Sequence, residues 1–590
     1  MNIRDPHSYI DQSHSQIKHI NFHFTVDFKT QIIQGKAKYT LDRESGESLF
    51  LDTSQLNIES IYSAKKKIQW KFDKDDSILA QRLHIENIAG ITEFTIEYST
   101  SPEAAALQWT TPVQTAGKVH PFLYSQCQPI HARSLFPCQD SPSVRFTYNA
   151  KIEVSNSLVA VMAAQSIDST AKGSSTQYSF EMKQPIPSYL FALAVGNLVF
   201  SEIGPRTGIY AEPEIIEAAA WEYAGNEKML SEAEKLLGPY LWDRYDILIM
   251  PPSFPYGGME NPRLTFLNSI VLVGDRSFLS IIYHELAHAW TGNLVTNATW
   301  DHFWINEGWT RYAEIRIAEA LEGKDKAQLL MAIYLKNLLQ TIDNFGAEND
   351  ITRLRTTTEG LDPDKNFSSI PYDKGHQFLL KLEAAVGRKR FDTFLQKYIN
   401  KYQFRSITTE EFLIFLEKEL PDVVEVVDVQ NWVFDRAIPK DGFEAPSSLY
   451  DQTMTVLDAY LKGKLPSEED VANWDGAQIV AFLQGVLNQT PIEDCEYLDK
   501  LFGLANSKKA GVLSYFFEIC INSGYQKIIP RVEKYLGRVG RGLAIAPIYS
   551  ALVKQEWSRK DARRIFDGVK KGYHPVQVKN IESLLNEAGL

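Results

Sequence analysis

The sequence predicts a multidomain α+β protein, with a mostly β-sheet N-terminal part followed by two mainly helical parts. In the first third of the 590 residues, apolar and polar side chains alternate with a period of two, as they do in half-buried strands. Further along the chain, apolar residues recur at helical spacing instead. A stretch rich in Pro, Gly and Ser, AIPKDGFEAPSS, separates the last quarter from the rest.

Residues 1–196 are predicted to form the β domain. Clusters of turn-forming residues at 73–76 and 173–175 punctuate the strand-like pattern. The segments with the clearest alternation are INFHFTVDFKT, QIIQGKAKYTL, EFTIEYST, FTYNAKIEVS and LVAVMAA.

Residues 197–438 are predicted to form a mainly helical domain. Its helical segments are EIIEAAAWEYAGNEKMLSEAEKLLG, SIIYHELAHAWTGNLV, NEGWTRYAEIRIAEALEG, GHQFLLKLEAAVG and TEEFLIFLEKEL. Residues 439–448 are predicted as a linker. Residues 449–590 follow as a series of short amphipathic helices, which favours an α-solenoid-like bundle.

The composition favours a soluble protein of the cytoplasm, and a monomer is expected rather than an oligomer. The net charge is −13, which argues against non-specific binding to nucleic acid or to an anionic membrane surface. The four cysteines are too few and too scattered for a disulfide framework, and no C-x-x-C pair is present. The chain begins without a signal peptide pattern, and no apolar run reaches the ~18–20 residues that span a bilayer.

The strongest functional signal is an H-E-x-x-H motif formed by His284, Glu285 and His288 within a helical segment. Residues four apart lie on the same face of a helix, so both imidazoles can reach one metal ion. Glu285 lies beside them, where it can act on the attacking water rather than bind the metal. Two histidines are an incomplete site, because catalytic zinc usually takes three protein ligands.

Glu307 is the predicted third ligand. Eighteen residues separate it from His288, and it opens the next predicted helix within N-E-G. The spacing fits the gluzincin pattern H-E-x-x-H-x18-E, whereas a metzincin site needs Gly and His where this chain has Thr291 and Leu294. Zinc is the natural ion for two imidazoles and one carboxylate.

This set of residues predicts hydrolysis assisted by zinc, which would polarise a scissile carbonyl and lower the pKa of water. Glu285 would act as general base and then deliver the proton to the leaving amine. Carboxylates usually orient the histidines that bind a metal, and Glu314 and Asp301 are the nearby candidates. Three other histidines are interpreted as satisfied structural residues: His131, His302 and His376.

At these residues the chain resembles the M1 metallopeptidases, the zinc aminopeptidases, and within them the branch that contains leukotriene A4 hydrolase and its aminopeptidase relatives. The resemblance implies an N-terminal saddle-shaped β domain, a thermolysin-like catalytic domain and a helical C-terminal domain of the armadillo or HEAT type. The blocks that carry it are QCQPIHARSLFPCQDSPSVRFTY (126–148), PYGGMENP (255–262), HELAHAWTGNLVTNATWDHFWINEG (284–308) and SSIPYDKG (368–375).

The resemblance also implies roles for individual residues and one zinc ion per chain. It implies that Glu260 binds the α-amino group of a peptide with a free N-terminus, and that Tyr372 hydrogen-bonds the developing oxyanion. The residues that it implies line the substrate-binding site are Gln126, Gln128, Tyr256, Gly257, Gly258 and Met259. Independently, two glycines allow a peptide backbone to approach closely, and a carboxylate near zinc would pair with an ammonium group.

Two alternatives to an aminopeptidase remain. One is a bifunctional epoxide hydrolase that acts on a fatty-acid epoxide; Asp364 matches a residue of that activity, but Phe367 stands where a second tyrosine is expected. The resemblance also implies a carboxylate anchor at Arg541, whereas the position of its lysine partner holds Leu543. The other alternative is a catalytically silent scaffold, which the intact set of ligands and Glu285 argue against.

Overall fold

The computed structural model describes residues 4–11, 13–366, 368–440, 442 and 445–590, without the side chains of 365 and 366. A β-rich part, a mixed part and a helical part follow one another along the chain, and this confirms the predicted fold class. None of the described helices combines the length and the apolar character needed to cross a membrane.

The N-terminal part is built from strands β1 to β15. Their bounds are β1 (Ile17–Asp27), β2 (Ile32–Leu41), β3 (Ser48–Thr53), β4 (Asn57–Ser63), β5 (Lys66–Lys67), β6 (Gln69–Asp76), β7 (Ala80–Glu86), β8 (Glu93–Ser99), β9 (Leu107–Thr110), β10 (Phe122–Ser125), β11 (Arg145–Ser155), β12 (Val159–Met162), β13 (Gln165–Lys172), β14 (Ser175–Pro187) and β15 (Leu193–Gly196).

These strands form an eight-stranded sheet with the order β13-β14-β11-β1-β2-β8-β4-β5, together with a four-stranded and a three-stranded sheet. Strand β1 runs parallel to β11 and antiparallel to β2. Along β1 the side chains of Ile20, Phe22 and Phe24 are buried, while those between them are exposed. The alternation in the sequence therefore arises because one face of the sheet packs on the core and the other face lies in solvent.

The central part begins with a five-stranded sheet of order β16-β17-β18-β20-β19, which the sequence analysis did not predict. Its central strands pair in parallel and are fully buried, so they read as continuous apolar runs without period-two alternation. The strands are β16 (Val199–Gly204), β17 (Thr207–Ala211), β18 (Tyr245–Met250), β19 (Gly258–Met259) and β20 (Leu264–Asn268).

Helices dominate the rest of the central part. The segment predicted as one helix from residue 214 is two helices, because the chain turns at Tyr223–Gly225. The elements are α1 (Ile216–Glu222), α2 (Asn226–Leu237), α3 (Ser280–Ala287), β21 (Val295–Asn297), α4 (Trp304–Glu322), α5 (Lys324–Phe345), α6 (Gly375–Val386), α7 (Arg388–Tyr402), β22 (Arg405–Ile407), α8 (Thr409–Glu419), α9 (Pro421–Val426) and α10 (Val429–Phe434).

The C-terminal part consists of nine α-helices within the described residues, packed around a hydrophobic core of their own. Positions 441, 443 and 444 of the predicted linker lie outside the described residues, and the predicted domain limits stay a prediction. The helices are α11 (Ser448–Leu461), α12 (Glu468–Val471), α13 (Gly476–Val486), α14 (Asp494–Leu501), α15 (Ala510–Asn522), α16 (Ile529–Leu536), α17 (Gly542–Lys554), α18 (Arg559–Val569) and α19 (Pro575–Glu587).

Candidate metal centre and active site

Helices α3 and α4 hold the three predicted metal ligands. His284 lies in α3, which ends at Ala287, and His288 caps the helix in right-handed helical conformation. The backbone N–H of His288 still donates to the carbonyl of His284 at 3.1 Å, so the helical spacing of the two imidazoles is kept. Glu307 lies in the first turn of α4, which packs against α3.

The three candidate ligand atoms form a nearly regular triangle. Nε2 of His284 lies 3.2 Å from Nε2 of His288, and the two nitrogens lie 3.3 and 3.4 Å from Oε2 of Glu307. Tetrahedral zinc with bonds of about 2.0–2.1 Å places its ligand atoms about 3.3 Å apart. The buried Oε2 of Glu307 has no hydrogen-bond partner among the described residues, so these residues fit a zinc ion.

The far sides of both imidazoles are fixed by hydrogen bonds. Nδ1 of His284 donates to Oε2 of Glu314 at 2.9 Å, and Nδ1 of His288 donates to the carbonyl of Thr291 at 2.9 Å. The Thr310 hydroxyl donates to the same carbonyl at 2.7 Å. With its proton on Nδ1, each ring leaves the lone pair of Nε2 free for a metal.

The charges of the site suit metal binding and proton transfer. Burial alone would raise the pKa of Glu307, but His288 and His284 beside it lower that pKa to about 2, so the carboxylate is anionic. Burial is the main cause that raises the pKa of Glu285 to about 7. A carboxylate with a pKa near neutrality can both accept and return a proton at physiological pH.

Gly258 leaves the space that the Glu285 side chain occupies. A Cβ atom on Gly258 would lie 2.4 Å from Oε1 of Glu285 and 2.6 Å from its Cδ. Gly258 begins the edge strand β19, which pairs with β20. The strand and helix α3 can therefore approach this closely only because residue 258 has no side chain.

Glu260 also lies close to the carboxylate of Glu285. Ligand atoms of Glu260, Glu285 and His288 all lie within 4.8 Å of one another. Glu260 is 5% exposed, burial raises its pKa, and its Oε1 has no hydrogen-bond partner among the described residues. Next to it, the side-chain amide of Gln126 contacts Sδ of Met259 at 3.1 Å.

Tyr372 lies in a single π-helical turn, Ile370–Lys374, that leads into α6. Its ring stacks on the imidazole of His284, with the ring centroids 5.8 Å apart. Burial raises the pKa of Tyr372 well above its ordinary value, and the nearby carboxylates of Glu307 and Glu260 raise this pKa further. The phenol is therefore protonated and able to donate at neutral pH.

Arg541 reaches the site from the C-terminal part. A Cβ atom on Gly257 would lie 3.0 Å from Nη2 of Arg541, so this guanidinium lies at the glycine edge. Burial lowers its pKa, and Glu285 is among the charges that raise it again. Leu543, at the expected lysine position, is 78% exposed and does not replace that lysine.

A second group of predicted substrate-site residues lies further out. Nε2 of His131 pairs with the half-exposed carboxylate of Asp364 at 3.0 Å, and burial, then Asp364, raise the pKa of Tyr256 to about 12. Gln128 lines a neighbouring cavity of 480 Å³. Other lining residues include Pro129, Trp300, Phe303, Leu354 and Pro371. Phe367 lies outside the described residues.

Two interpretations from the sequence were wrong. Asp301 does not orient a metal-site histidine, because its carboxylate accepts from the N–H of Thr358 at 2.8 Å and pairs with Arg355. His376 is buried, but neither ring nitrogen has a hydrogen-bond partner among the described residues, so it is not a satisfied core histidine. His302 is satisfied, through Thr409.

Three family models together match most of the chain. The Peptidase M1 N-terminal domain matches residues 16–190, the Peptidase family M1 domain matches residues 221–432, and the C-terminal domain of leukotriene A4 hydrolase matches residues 474–585. Leucine aminopeptidase 2 of Neosartorya fischeri is 36% identical, and the alignment covers 97% of this chain and 96% of that protein. The chain belongs to peptidase family M1.

Two further relatives of this M1 peptidase support the same family assignment. Leukotriene A-4 hydrolase of Xenopus laevis is 37% identical over 97% of each chain. Yeast LTA4 hydrolase in complex with bestatin has a TM-score of 0.92 at 32% identity, covering 99% of this chain and 97% of that one. The family and the enzyme class that the sequence predicts, a metallopeptidase of the aminopeptidase type, are thereby confirmed.

Several residues behind the candidate metal triangle were not predicted from the sequence. Arg311, Tyr334 and Asp373 surround Glu314 and the turn that carries Tyr372. One signal was available, because Arg311 precedes Glu314 by three residues and such pairs are neighbours on a helix.

Proposed function

We propose that this M1 peptidase is an aminopeptidase that uses one zinc ion per chain, bound by His284, His288 and Glu307, to release the first residue of peptides. The observation that carries the proposal is the buried carboxylate of Glu260 beside the candidate metal triangle, with an oxygen that has no partner among the described residues. A peptide ammonium group is a partner of matching charge for such an oxygen.

A zinc ion held by His284, His288 and Glu307 would act as a Lewis acid, which would polarise the scissile carbonyl and lower the pKa of water. The chain supplies the proton transfers. Glu285 takes a proton from the attacking water and gives it to the leaving amine, and its pKa of about 7 suits both directions. Tyr372 remains protonated and donates its O–H to the developing oxyanion.

Glu260 fixes which peptide bond is cleaved. Its carboxylate lies within 4.8 Å of Glu285 and His288, so an ammonium group bound to it leaves little more than one residue of extended backbone before the metal. One residue spans at most about 3.6 Å. We infer that the first peptide bond reaches the general base, and that Tyr256, Gly257, Gly258 and Met259 form the edge along which the substrate lies.

The C-terminal end of a short peptide substrate would lie near a positively charged side chain. Arg541 lies at the glycine edge from the C-terminal part, and we propose that it contacts the terminal carboxylate of short peptides. Gln126 and Gln128 are proposed to line the pocket of the first side chain. These assignments describe a site for peptides rather than for folded proteins.

Hydrolysis of aminoacyl chromogenic amides beside their N-acetylated forms tests the proposal. We expect cleavage of the free-amine forms alone, abolished by a zinc chelator and restored by zinc. Glu260→Gln should lower the preference for free amines at least tenfold. Glu212→Gln is the matched control, since Glu212 is also buried but accepts from the loop at Ala116 and Gly117. Equal cleavage of both forms by the wild type would refute the role of Glu260.

A second activity, opening of a fatty-acid epoxide, is favoured by one observation. Asp364 is half exposed near Tyr256, and about half of the residues that line the 480 Å³ cavity beside it are apolar. Mass spectrometry after incubation with a fatty-acid epoxide would detect the diol. Diol formed by the wild type but lost in Asp364→Asn supports the second activity, and no diol from a zinc-loaded, peptidase-active enzyme excludes it.

We also propose that the protein is a monomer of the cytoplasm with domains at 1–196, 197–438 and 449–590. Its four cysteines are buried free thiols, which suits a reducing compartment. Light scattering on a size-exclusion column gives the mass directly, and 67.0 kDa is the monomer value. Twice that mass would contradict the proposal.

A further inference from the structure

Behind the candidate metal triangle, Arg311 lies between two buried carboxylates. Its Nη1 donates to Oε2 of Glu314 at 2.6 Å, and its Nε forms an ion pair with Oδ1 of Asp373 at 3.3 Å. Glu314 is 1% exposed and Asp373 is 3% exposed. Arg311 is therefore the cation that balances two charges that solvent does not reach.

The two carboxylates belong to different parts of the site. Oε2 of Glu314 accepts from His284, while its Oε1 accepts from the hydroxyl of Tyr334 at 2.6 Å. Asp373 directly follows Tyr372 in the π-helical turn. Arg311 thus contacts the support of a metal ligand and the segment that carries the proposed oxyanion donor.

The guanidinium also contacts aromatic rings. Its central carbon lies 3.9 Å from the ring centroid of Tyr334 and 5.6 Å from that of Tyr372. Both distances are within the range of a cation–π interaction, and a planar guanidinium can stack where an ammonium group cannot. The position of the Tyr372 ring therefore depends on the same side chain that holds Glu314.

The geometry points to Arg311 as a positioning residue that ties the carboxylate supporting His284 to the turn carrying Tyr372, so that metal affinity and oxyanion stabilisation depend on one side chain. This inference rests on the proposed roles of His284 and Tyr372. Arg311 does not touch the substrate in this arrangement; it acts through Glu314, Asp373 and the ring of Tyr372.

Loss of Arg311 has two consequences. Glu314 loses one of its donors while it remains buried, which weakens its hold on the orientation of His284. Asp373 and Glu314 also become two buried carboxylates without the cation between them, so the π-helical turn is pushed away from α4. The first effect lowers zinc affinity, and the second displaces the Tyr372 hydroxyl.

Arg316 provides a matched control on the same helix. It is 12% exposed where Arg311 is 16%, and it also forms an ion pair, with Asp392 at 2.7 Å, although the Asp392 side chain is 31% exposed. Its Nη1 donates to the hydroxyl of Tyr312 instead of to a residue of the metal site. Arg316→Met therefore reproduces the loss of a buried arginine without touching Glu314 or Tyr372.

The test compares Arg311→Met, Arg311→Lys and Arg316→Met with the wild type. Zinc dissociation constants are measured by competition with a chromophoric chelator, and kcat and KM are measured on zinc-saturated enzyme. Arg311→Met should weaken zinc binding about 10–100-fold and lower kcat at saturating zinc with KM changed less than about threefold. Arg311→Lys keeps the charge without the planar fork, so it should recover zinc affinity more than kcat.

Arg316→Met should match the wild type in zinc affinity and kcat even if its melting temperature falls. Equal zinc affinity and equal kcat in Arg311→Met and Arg316→Met would overturn the inference. If Arg311→Met does not fold, Arg311→Lys alone tests the inference. An unchanged kcat in Arg311→Lys would contradict a positioning role for the planar guanidinium of Arg311. A wild type that binds zinc but cleaves no aminoacyl amide would instead refute the proposed function, so the two failures are distinguishable.

Discussion

Replacement of Gly258 by alanine tests the placement of the general base. The new Cβ atom would lie 2.4 Å from Oε1 of Glu285, whereas a carbon–oxygen contact needs about 3.3 Å or more. The backbone of Gly258 is not in the left-handed region, so alanine fits the local conformation and the conflict is between the methyl group and the carboxylate. Glu285 must therefore move by about 1 Å.

A displacement of this size is costly for catalysis. A 1 Å misplacement of a catalytic group can cost about 100-fold in rate, which corresponds to about 2.7 kcal/mol in the activation free energy. We therefore expect Gly258→Ala to lower kcat about 100-fold on the best aminoacyl amide substrate. The zinc content, measured by mass spectrometry of the metal, should stay at one ion per chain because the three atoms nearest to the methyl group all belong to Glu285, which is not a proposed ligand.

A glycine outside the site is the control. Among the described residues outside its own helix backbone, Gly511 in α15 has no atom within 4 Å of the added carbon, so Gly511→Ala should leave kcat unchanged. Wild-type kcat in zinc-loaded Gly258→Ala would refute the assignment of Glu285 as the base at this position.

Three further predictions follow from the site and its support. Glu285→Gln should keep one zinc ion per chain but lower kcat at least 1,000-fold, and substantial residual turnover would contradict a general base at this position. Tyr372→Phe should lower kcat about 10–100-fold with little change in KM, since its bond to the oxyanion strengthens in the transition state; a change in KM alone would make it a substrate-binding residue. Burial lowers the pKa of Lys374 to about 7, so between pH 7 and 9 the unfolded chain holds a proton that the folded chain lacks. The wild type should then gain stability relative to Lys374→Met as pH rises, by at most about 1.4 kcal/mol per pH unit, and a difference in melting temperature that stays constant across this range would contradict the lowered pKa.

The metal motif could be predicted from the sequence because its geometry is local. One helical turn brings His284 and His288 to the same face, and the spacing to Glu307 places a carboxylate at the start of the next helix. The sequence left the choice between Glu314 and Asp301 as the supporting carboxylate open, and the structure decides it for Glu314. Glu314 comes seven residues after Glu307, two turns along the same face of α4, whereas Asp301 precedes that helix.

Other parts of the structure depend on contacts that no local pattern encodes. Strands β18 and β20 of the five-stranded sheet are buried on both faces, so they lack the alternation that identified β1 and β2. The contact of Arg311 with Asp373 joins α4 to a turn some sixty residues later, and only the packing of α4 against that turn brings the two together. The approach of Arg541 to Gly257 likewise requires the C-terminal part to be docked on the central one.

The most direct test of the account is an anomalous-scattering measurement at the zinc absorption edge on crystals of the zinc-loaded protein. The account predicts one strong peak per chain at about 2.0–2.1 Å from Nε2 of His284, Nε2 of His288 and Oε2 of Glu307, with Glu260 and Glu285 beside it but not bound to it. A peak elsewhere, or an active protein without a peak at these three atoms, would contradict the central claim.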